Sequence, residues 1–449
     1  MLAVLSLAAC KNESLDLPPD HGVLRVLHAI PELGTLDMTL VDADLGQFEF
    51  NGIRGINRPG DGNHQVLIDV LLPGDNNPTQ RLETLTVATG VDRETTLVLT
   101  GTLDDPNVIT WNQPARDWES EAANSNAAIT ELEVSFGNAS ASHGPLDFYL
   151  GPAGFDPADT TPMASLDYSE LQAKAEIEAD TYELIITPGG DPTTRLYSSG
   201  EVALPAATSL VFVAYDSEKL DDNGTPWLNV RPLGGGFTDI RTNLEVPQYM
   251  RAVHAGRDAG PVDIVTTEGA DLLFGDLAYG DTTDYVLAPT AITQFNVTAV
   301  GDPEDIKASF SGGGAPSFFN TVLIGGTADD LFSSVFVDDR RRIVTDARIR
   351  VLQSSSNVGV VDIYIVAPNT DIDNVLPSLG ALLSSTISGR IGVAAGNFDF
   401  FVTRSATKDI VAGPIHISLK KNGIYTAVVS DAVQDDRVSV SFIDDDPLN

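Results

Sequence analysis

The stretch Met250-Arg-Ala-Val-His-Ala-Gly-Arg-Asp-Ala-Gly-Pro-Val-Asp-Ile-Val265 is one of four copies of a single pattern in this chain. In each copy a hydrogen-bonding side chain precedes an aspartate by nine positions. The four pairs are His28 and Asp37, Asn138 and Asp147, His254 and Asp263, and Gln353 and Asp362. Successive aspartates lie 110, 116 and 99 residues apart. This regular spacing indicates a long internal repeat, and the repeat sets the architecture before any local structure is considered.

Each copy predicts a strand, a tight turn and a second strand. In the first copy Leu36, Met38 and Leu40 alternate with polar residues, and this period of two is typical of a strand with one buried face. Glycine and proline lie between the two strands, as at Gly260-Pro261, where they supply the backbone angles that a chain reversal needs. The length of the repeat suits a small β-sandwich, which has about 100 residues.

Several segments resemble a known bacterial repeat family, the domain of unknown function DUF4397. Arg251-Ala-Val-His-Ala255 and Pro261-Val-Asp-Ile264 are similar to the opening of that family. Phe274-Gly-Asp-Leu-Ala-Tyr-Gly280 and Tyr364-Ile-Val-Ala-Pro-Asn-Thr-Asp371 also resemble it, whereas the first two copies match less closely. The resemblance implies secreted, β-rich, immunoglobulin-like modules, and it implies no activity.

The repeat and the resemblance together predict an all-β chain of four tandem immunoglobulin-like β-sandwich domains. A chain of 449 residues is also too long for one hydrophobic core. The expected domains are residues 21–122, 123–245, 246–343 and 344–449, after a lipoprotein signal at 1–10 and a tether at 11–20. Within them, residues 111–126 are predicted to be a linker and residues 169–177 to form one or two helical turns.

The N-terminal residues predict a lipid anchor. Leu7-Ala-Ala-Cys10 resembles a bacterial lipobox, in which the cysteine is acylated and becomes the new N-terminus. Cys10 is the only cysteine, which fits an anchor better than a disulfide framework. The basic segment that normally opens such a signal is missing, so we expect the leader to begin upstream of Met1. Lys11 after the cysteine favours an outer-membrane lipoprotein of the cell envelope, facing the periplasm or the cell surface.

The charge balance excludes one class of partner. Acidic residues number 64 against 26 basic ones, which gives a formal net charge of −38. Nucleic-acid phosphates need a basic surface, so this composition argues against nucleic-acid binding. The same charge favours solubility and mutual repulsion between copies.

The pairs His28 with Asp37 and His254 with Asp263 invite interpretation as catalytic or metal-binding dyads. A dyad needs a nucleophile beside the histidine and a site for the developing oxyanion, and no such residue recurs at a fixed offset. Asn138 and Gln353 occupy the histidine position in the other copies, and an amide cannot act as a base. Since all four side chains form hydrogen bonds, we expect the repeated positions to be structural anchors that tie turns or strands together.

Metal binding is limited to one weak prediction. Six scattered histidines and one cysteine show no zinc-ligand spacing. Short acidic clusters could offer oxygen ligands to calcium. The candidates are Asp216, Asp221, Asp222, Asp371 and Asp373. None of these clusters follows the twelve-residue calcium-loop pattern, and a chain this acidic produces such clusters by chance. We therefore expect no obligatory cofactor and no catalytic residues.

These observations favour a non-enzymatic, lipid-anchored envelope protein that acts in structure, adhesion or scaffolding. Exposed edge strands would allow self-association or pairing with a protein partner. The alternative is a polysaccharide-binding or calcium-dependent surface protein, in which calcium bridges acidic loops. An enzyme would require a deep pocket lined by titratable residues in one domain only.

Overall fold

The computed structural model describes residues 23–40, 43–57, 62–74, 78–90, 92–125, 127–221, 223–234, 242–289, 294–312, 318–405, 407–432 and 436–445. Strands account for 58% of the chain and helices for 3%, which confirms the predicted all-β class. The strands form four tandem β-sandwiches, called modules 1 to 4 below, and each module consists of two separate sheets.

The strands are numbered in chain order. Module 1 contains β1 (Val23–His28), β2 (Leu36–Leu40), β3 (Ala43–Phe48), β4 (Ile53–Asn57), β5 (Gly62–Leu71), β6 (Thr79–Thr89), β7 (Arg93–Gly101) and β8 (Pro106–Pro114), followed by helix α1 (Trp118–Asn124). Module 2 contains β9 (Glu131–Asn138), β10 (Leu146–Gly151), β11 (Ala164–Leu166), β12 (Ala175–Glu178), β13 (Thr181–Pro188), β14 (Tyr197–Ala203), β15 (Ser209–Leu220) and β16 (Pro226–Leu233).

The second half of the chain repeats this series. Module 3 contains β17 (Tyr249–His254), β18 (Val262–Thr266), β19 (Leu272–Leu277), β20 (Val286–Leu287), β21 (Gln294–Ala299), β22 (Asp302–Ser311), β23 (Phe319–Thr327) and β24 (Asp330–Val337). Module 4 contains β25 (Ala347–Gln353), β26 (Val361–Val366), β27 (Leu379–Leu382), β28 (Thr386–Ile387), β29 (Ile391–Val393), β30 (Gly396–Arg404), β31 (Ile410–Leu419), β32 (Ile424–Asp431) and β33 (Val438–Asp444). Short 3₁₀ turns lie at Pro157–Asp159 and Ile372–Asn374.

The sheet topology is the same in all four modules. The sheet that holds the first strand of a module is called its A-sheet, with orders β4-β1-β7-β8, β12-β9-β15-β16, β20-β17-β23-β24 and β28-β25-β32-β33, where β29 also pairs with β25. The other sheet is called the B-sheet, with orders β3-β2-β5-β6, β11-β10-β13-β14, β19-β18-β21-β22 and β27-β26-β30-β31. In each A-sheet the first strand runs parallel to one neighbour, as β1 does to β7, and antiparallel to the other.

The core of each module lies between its two sheets. In module 2, for example, Phe136 of β9 stacks on Phe148 of β10 with ring centroids 5.3 Å apart. In β2 the apolar residues are buried and the polar ones are partly exposed, as the alternation predicts. In β10, β18 and β26 the aspartate of the polar face is buried too, because loops cover it.

The outer face of each A-sheet is also buried, because the A-sheets pack together in pairs. Modules 1 and 2 make up most of one compact unit of the chain, and modules 3 and 4 make up most of another. One apolar cluster joins Leu27, Val98 and Trp111 of module 1 to Val211, Val213 and Tyr215 of module 2. A second cluster joins Val253 and Leu323 of module 3 to Leu352 and Val428 of module 4. This double burial explains why all six residues of β1 are buried.

Two local predictions were wrong. The predicted linker at residues 111–126 instead completes strand β8 and contains helix α1, because β8 pairs with β7 over its whole length. The predicted helical turns at residues 169–177 give way to the edge strand β12, which pairs with β9. In the described part of the chain, no helix has both the length and the apolar character needed to cross a bilayer.

Candidate functional site

His254 ends the first strand of module 3, and both of its ring nitrogens bind the backbone of the turn that follows. Nε2 lies 2.9 Å from the carbonyl oxygen of Gly260, and Nδ1 accepts a hydrogen bond from the Gly256 N–H at 3.2 Å. Since Nδ1 accepts, the proton must be on Nε2, and the ring is neutral. Burial lowers the pKa of His254, although its bond to Gly260 opposes this, and the low pKa favours the neutral ring.

The amides of modules 2 and 4 make the same two hydrogen bonds. Asn138 Nδ2 donates to Gly144 O at 3.1 Å, and Gln353 Nε2 donates to Gly359 O at 3.1 Å. Their side-chain oxygens accept from the N–H two positions further on, at 3.0 and 3.1 Å. His28 likewise accepts from the N–H two positions on, through Nδ1 at 3.3 Å. The histidines therefore act as isosteres of an amide, with one donor and one acceptor.

The repeated aspartates bind other parts of the backbone, in turns and in the strands β19 and β27. Asp263 accepts from Gly301 N and from Asp276 N, each at 2.8 Å. Asp147 accepts from Gly190 N at 2.8 Å, and Asp362 accepts from Ala381 N at 2.7 Å. All four of these donors have positive φ, a conformation that costs energy for residues other than glycine and needs such support. Asp37 is only partly buried, and burial together with nearby Asp44 and Asp69 raises its pKa.

The hydrogen bonds of His254 and Asp263 therefore go to different parts of the backbone. The two ring nitrogens bind the backbone of Gly256 and Gly260. The carboxylate oxygens bind the N–H of Asp276 in β19 and the N–H of Gly301 between β21 and β22. This arrangement gives no support to a catalytic dyad. It offers two fixed points on either side of the chain reversal between the first and second strands.

The calcium candidates are also engaged in local hydrogen bonds. Asp216 accepts from the hydroxyls of Ser140 and Ser142, and Asp221 accepts from Asn223 N and Thr225 N, each at 2.8 Å. Asp371 caps the 3₁₀ turn by accepting from Asp373 N at 3.0 Å, and Asp222 lies outside the described residues. Within the described ranges no group of three or more His, Cys, Asp or Glu residues is placed to hold a metal ion. Calcium binding stays a prediction.

Two surface depressions of about 530 and 500 Å³ are open to solvent. The first is lined by Asp92, Arg93 and neighbouring residues of β8, and the second by residues that include Arg257 and Asn357. Neither contains a histidine or aspartate of the repeated pattern.

Sequence reasoning missed a set of buried arginines on the A-sheets. Arg25, Arg251 and Arg350 lie three positions before the repeated His or Gln, and each is at most 5% exposed. In each case Nε donates to a threonine on the parallel neighbour strand, at 2.8 to 2.9 Å. The signal in the sequence was an arginine at the same place in three of four apolar strands. A charge in a buried strand requires partners.

In the second pair of modules these partners are exchanged between modules. Arg251 of module 3 forms an ion pair with Asp445 of module 4 at 2.7 Å, and Arg350 of module 4 forms one with Asp338 of module 3. Asp338 also accepts from the hydroxyl of Tyr285 at 2.6 Å. Burial alone would raise the pKa of Asp445, but the arginines beside it hold that pKa below its usual range. The two ion pairs cross the interface in opposite directions.

In the first pair of modules the same positions are uncharged or differently paired. Arg25 binds Glu94 of its own module at 2.8 Å, and Lys174 of module 2 reaches the same carboxylate at 3.2 Å. Trp111 seats its indole ring over Gly137 of module 2, where a Cβ atom would lie 2.5 Å from a ring carbon. Its Nε1 donates to Ser169 O at 2.8 Å. This interface therefore combines a closely fitted apolar contact with a buried charge cluster of Arg25, Glu94 and Lys174.

Residues 248–364 match the family model described as a domain of unknown function, DUF4397. The match begins where module 3 begins and ends inside β26 of module 4. It confirms the resemblance at the third copy, where Arg251–Ala255, Pro261–Ile264 and Phe274–Gly280 lie. Among curated proteins, none matches this chain.

Three solved structures are each 11% identical to the chain. A Bacteroides ovatus protein provisionally described as an adhesin covers 48% of this chain and 93% of its own, with a TM-score of 0.14. A fimbrial assembly protein from Parabacteroides distasonis covers 49% and 97%, also at 0.14. A C-terminally truncated tip fimbrial protein from Porphyromonas gingivalis covers 71% and 99%, at 0.11. At these TM-scores the likenesses support no statement about the function of this chain.

Proposed function

We propose that this protein is a non-enzymatic scaffold of the bacterial cell envelope, anchored by a lipid on Cys10, that acts in structure or adhesion. The repeated polar side chains are the observation that supports this proposal. In the copies where their bonds are described, they hold the nearby backbone of turns and strands rather than converging on a shared site. What recurs along the chain is thus a means of building a rigid module. A chain of rigid modules suits display or spacing at a surface.

In this proposal the eight repeated residues are structural anchors. The side chain at the end of each first strand fixes the turn, and the aspartate fixes the B-sheet turns beside it. The acidic composition keeps the displayed surface soluble and repels other copies of the chain. Adhesion would therefore depend on specific contacts rather than on non-specific association.

The anchor is tested by expressing the chain in a bacterium with a basic segment added ahead of Met1. Incorporation of labelled palmitate into the protein, and its recovery with outer membranes, is the expected result because the thiol of Cys10 is the acylation site. Cys10→Ser should abolish both. Label that persists in Cys10→Ser, or wild-type protein recovered unlabelled from the cytosol, would contradict the anchor.

The scaffold role is tested separately in cells that display the anchored protein. Attachment to host-matrix proteins and to neighbouring cells should rise relative to cells that carry Cys10→Ser. Glycan arrays probed with the same protein should stay flat with and without a calcium chelator. Glycan binding that disappears with the chelator would replace the scaffold with the polysaccharide-binding alternative, and turnover of a substrate would exclude the non-enzymatic proposal.

A further inference from the structure

The chain faces a sorting problem that its own repetition creates. Each module presents an A-sheet whose outer face is apolar at its centre, and four such faces occur in one chain. Equivalent central positions on the first strand are Leu27, Gly137, Val253 and Leu352, and those on its parallel neighbour are Val98, Val213, Leu323 and Val428. Because the four faces are similar, the A-sheet of one module can pack against the A-sheet of more than one other module. Misassembly between domains is the characteristic failure of tandem repeats.

One side-chain contact crosses both interfaces at equivalent positions. It is charged in modules 3 and 4 and neutral in modules 1 and 2. In modules 3 and 4 it is formed by Asp338 and Arg350, whose ion pair is buried. Strand register places Gln113 of module 1 at the equivalent of Asp338, since Trp111 pairs with Thr96 as Phe336 pairs with Thr321. Likewise Ser135 of module 2 takes the place of Arg350.

The neutral residues make the equivalent contact. Ser135 Oγ donates to Gln113 Oε1 at 3.3 Å between modules 1 and 2, and both residues are buried. The same crossing point is therefore a neutral hydrogen bond in one pair of modules and a charged one in the other. Each is matched within its own pair.

Mixed pairs would be mismatched at this point. A pairing of module 1 with module 4 would bury the guanidinium of Arg350 against the amide of Gln113. A pairing of module 3 with module 2 would bury the carboxylate of Asp338 against the hydroxyl of Ser135. Each charge would lose the ion-pair partner that the native pairing supplies across the interface, and this loss is unfavourable in a buried site, whereas a matched neutral contact or a matched ion pair is tolerated. The charge difference at this contact therefore destabilises the mixed pairings of modules rather than stabilising the native ones.

We propose that the crossed contacts Asp338 with Arg350 and Gln113 with Ser135 are a pairing code that directs module 3 to module 4 and module 1 to module 2. The code acts on the A-sheet faces of this chain and on those of a second copy. Short connections favour neighbouring modules by raising their effective concentration. The code disfavours pairing between a face that carries a neutral crossing residue and one that carries a charged crossing residue, whenever both faces are exposed during folding.

The test uses the full chain without its lipid, unfolded in urea and refolded at low and high protein concentration. D338Q/R350S places the neutral contact in both pairs of modules, so mixed pairing is no longer penalised. We expect wild type to return to its starting species at both concentrations. We expect the variant to lose part of that species to larger or alternative forms, with a loss that grows with concentration. Size-exclusion chromatography with light scattering, and hydrogen exchange of β23 and β32, report the outcome.

Two further variants separate pairing from stability. D338L/R350M replaces the ion pair with apolar residues of similar volume, a change that commonly preserves or raises stability. It should stay folded once assembled, and yet misassemble on refolding as D338Q/R350S does. D69Q/R81S removes an exposed ion pair of the same residue types from module 1 and should refold as wild type. Full recovery of the starting species by D338L/R350M at both concentrations would overturn the pairing code, and so would equal losses in D69Q/R81S.

Discussion

The interface between modules 1 and 2 and the interface between modules 3 and 4 join equivalent sheets by different chemistry. In the first, an indole ring fills the space left by Gly137, and one ion pair, Lys174 with Glu94, crosses the interface. In the second, the equivalent positions carry Phe336 and Leu352, and two buried ion pairs cross the interface. Both arrangements cover the outer face of an A-sheet. The fold therefore requires that this face be covered and leaves the means to the individual pair.

The difference in chemistry also determines which substitutions destabilise each interface. An interface built on shape responds to changes in volume, because interiors are close-packed and collapse only partly around a defect. An interface that contains a buried ion pair is destabilised when one partner is removed, because water cannot solvate the charge that remains. Each substitution below is expected to affect one pair of modules and to leave the other unchanged.

Asp338→Ala should have the largest effect. It removes the direct ion-pair partner of the buried Arg350 and the acceptor for the hydroxyl of Tyr285. Breaking a buried pair in this way costs about 3–5 kcal/mol. Calorimetry of the full chain should show the transition of modules 3 and 4 shifted to lower temperature, with that of modules 1 and 2 in place. Asp305→Ala, which removes an exposed partner of Lys307 in the same module, is the control and should leave both transitions unchanged.

Gly137→Ala should come next, with the loss confined to modules 1 and 2. The new Cβ atom would lie 2.5 Å from a carbon of Trp111, so the indole must move. Overpacking of this kind costs about 1–3 kcal/mol. In a double-mutant cycle measured by urea unfolding, Trp111→Ala should remove most of the additional cost of the alanine. Gly389→Ala meets nothing within 4 Å and should be neutral. Strict additivity of the two changes would show that the ring does not rest on Gly137.

His254→Gln should change how modules 3 and 4 respond to pH. Since burial lowers the pKa of His254 below its ordinary value of 6.5, the unfolded chain binds the proton more readily than the folded one. Stability should therefore be complete above that value and decrease as the pH falls below it. Glutamine makes the same two bonds in module 4 without titrating. The variant should lose this part of the pH dependence in thermal melts between pH 7 and pH 5, while Asn138→Gln should leave it unaltered.

Arg81→Ala should have the smallest effect. Arg81 pairs with Asp69 at 2.7 Å, but its side chain is 45% exposed, and water and salt screen the interaction. Exposed pairs of this kind contribute about 0–1 kcal/mol. Urea unfolding at low and high salt should show a small loss that disappears at high salt. A loss as large as that of Asp338→Ala would contradict the contrast between buried and exposed pairs.

The sequence predicted what depends on local pattern and missed what depends on pairing at a distance. Strand β2 covers the alternating residues Leu36 to Leu40 as predicted, because that alternation is a local pattern. The linker prediction is wrong at residues 111–114, which end β8, because the sequence does not show that Trp111 packs against the opposite A-sheet. The nine-residue interval between His254 and Asp263 suggested a possible dyad. Spacing alone could not reveal that the two side chains bind different turns.

The arginines show the same limit. Arg251 lies within the repeated pattern, but its partner Asp445 lies close to the C-terminus, directly after the last strand. Sequence alone could establish that a buried arginine needs a carboxylate. It could not choose among 64 acidic residues.

Because every A-sheet has two buried faces, a chain of this kind can lengthen or shorten only by even steps. Duplication of one module would leave an apolar sheet face exposed to water, and such a face promotes aggregation in a crowded envelope. Duplication of a pair adds two faces that satisfy each other. The heritable unit of growth is thus two modules long, and fragments cut for expression should keep modules 1 and 2 together or modules 3 and 4 together.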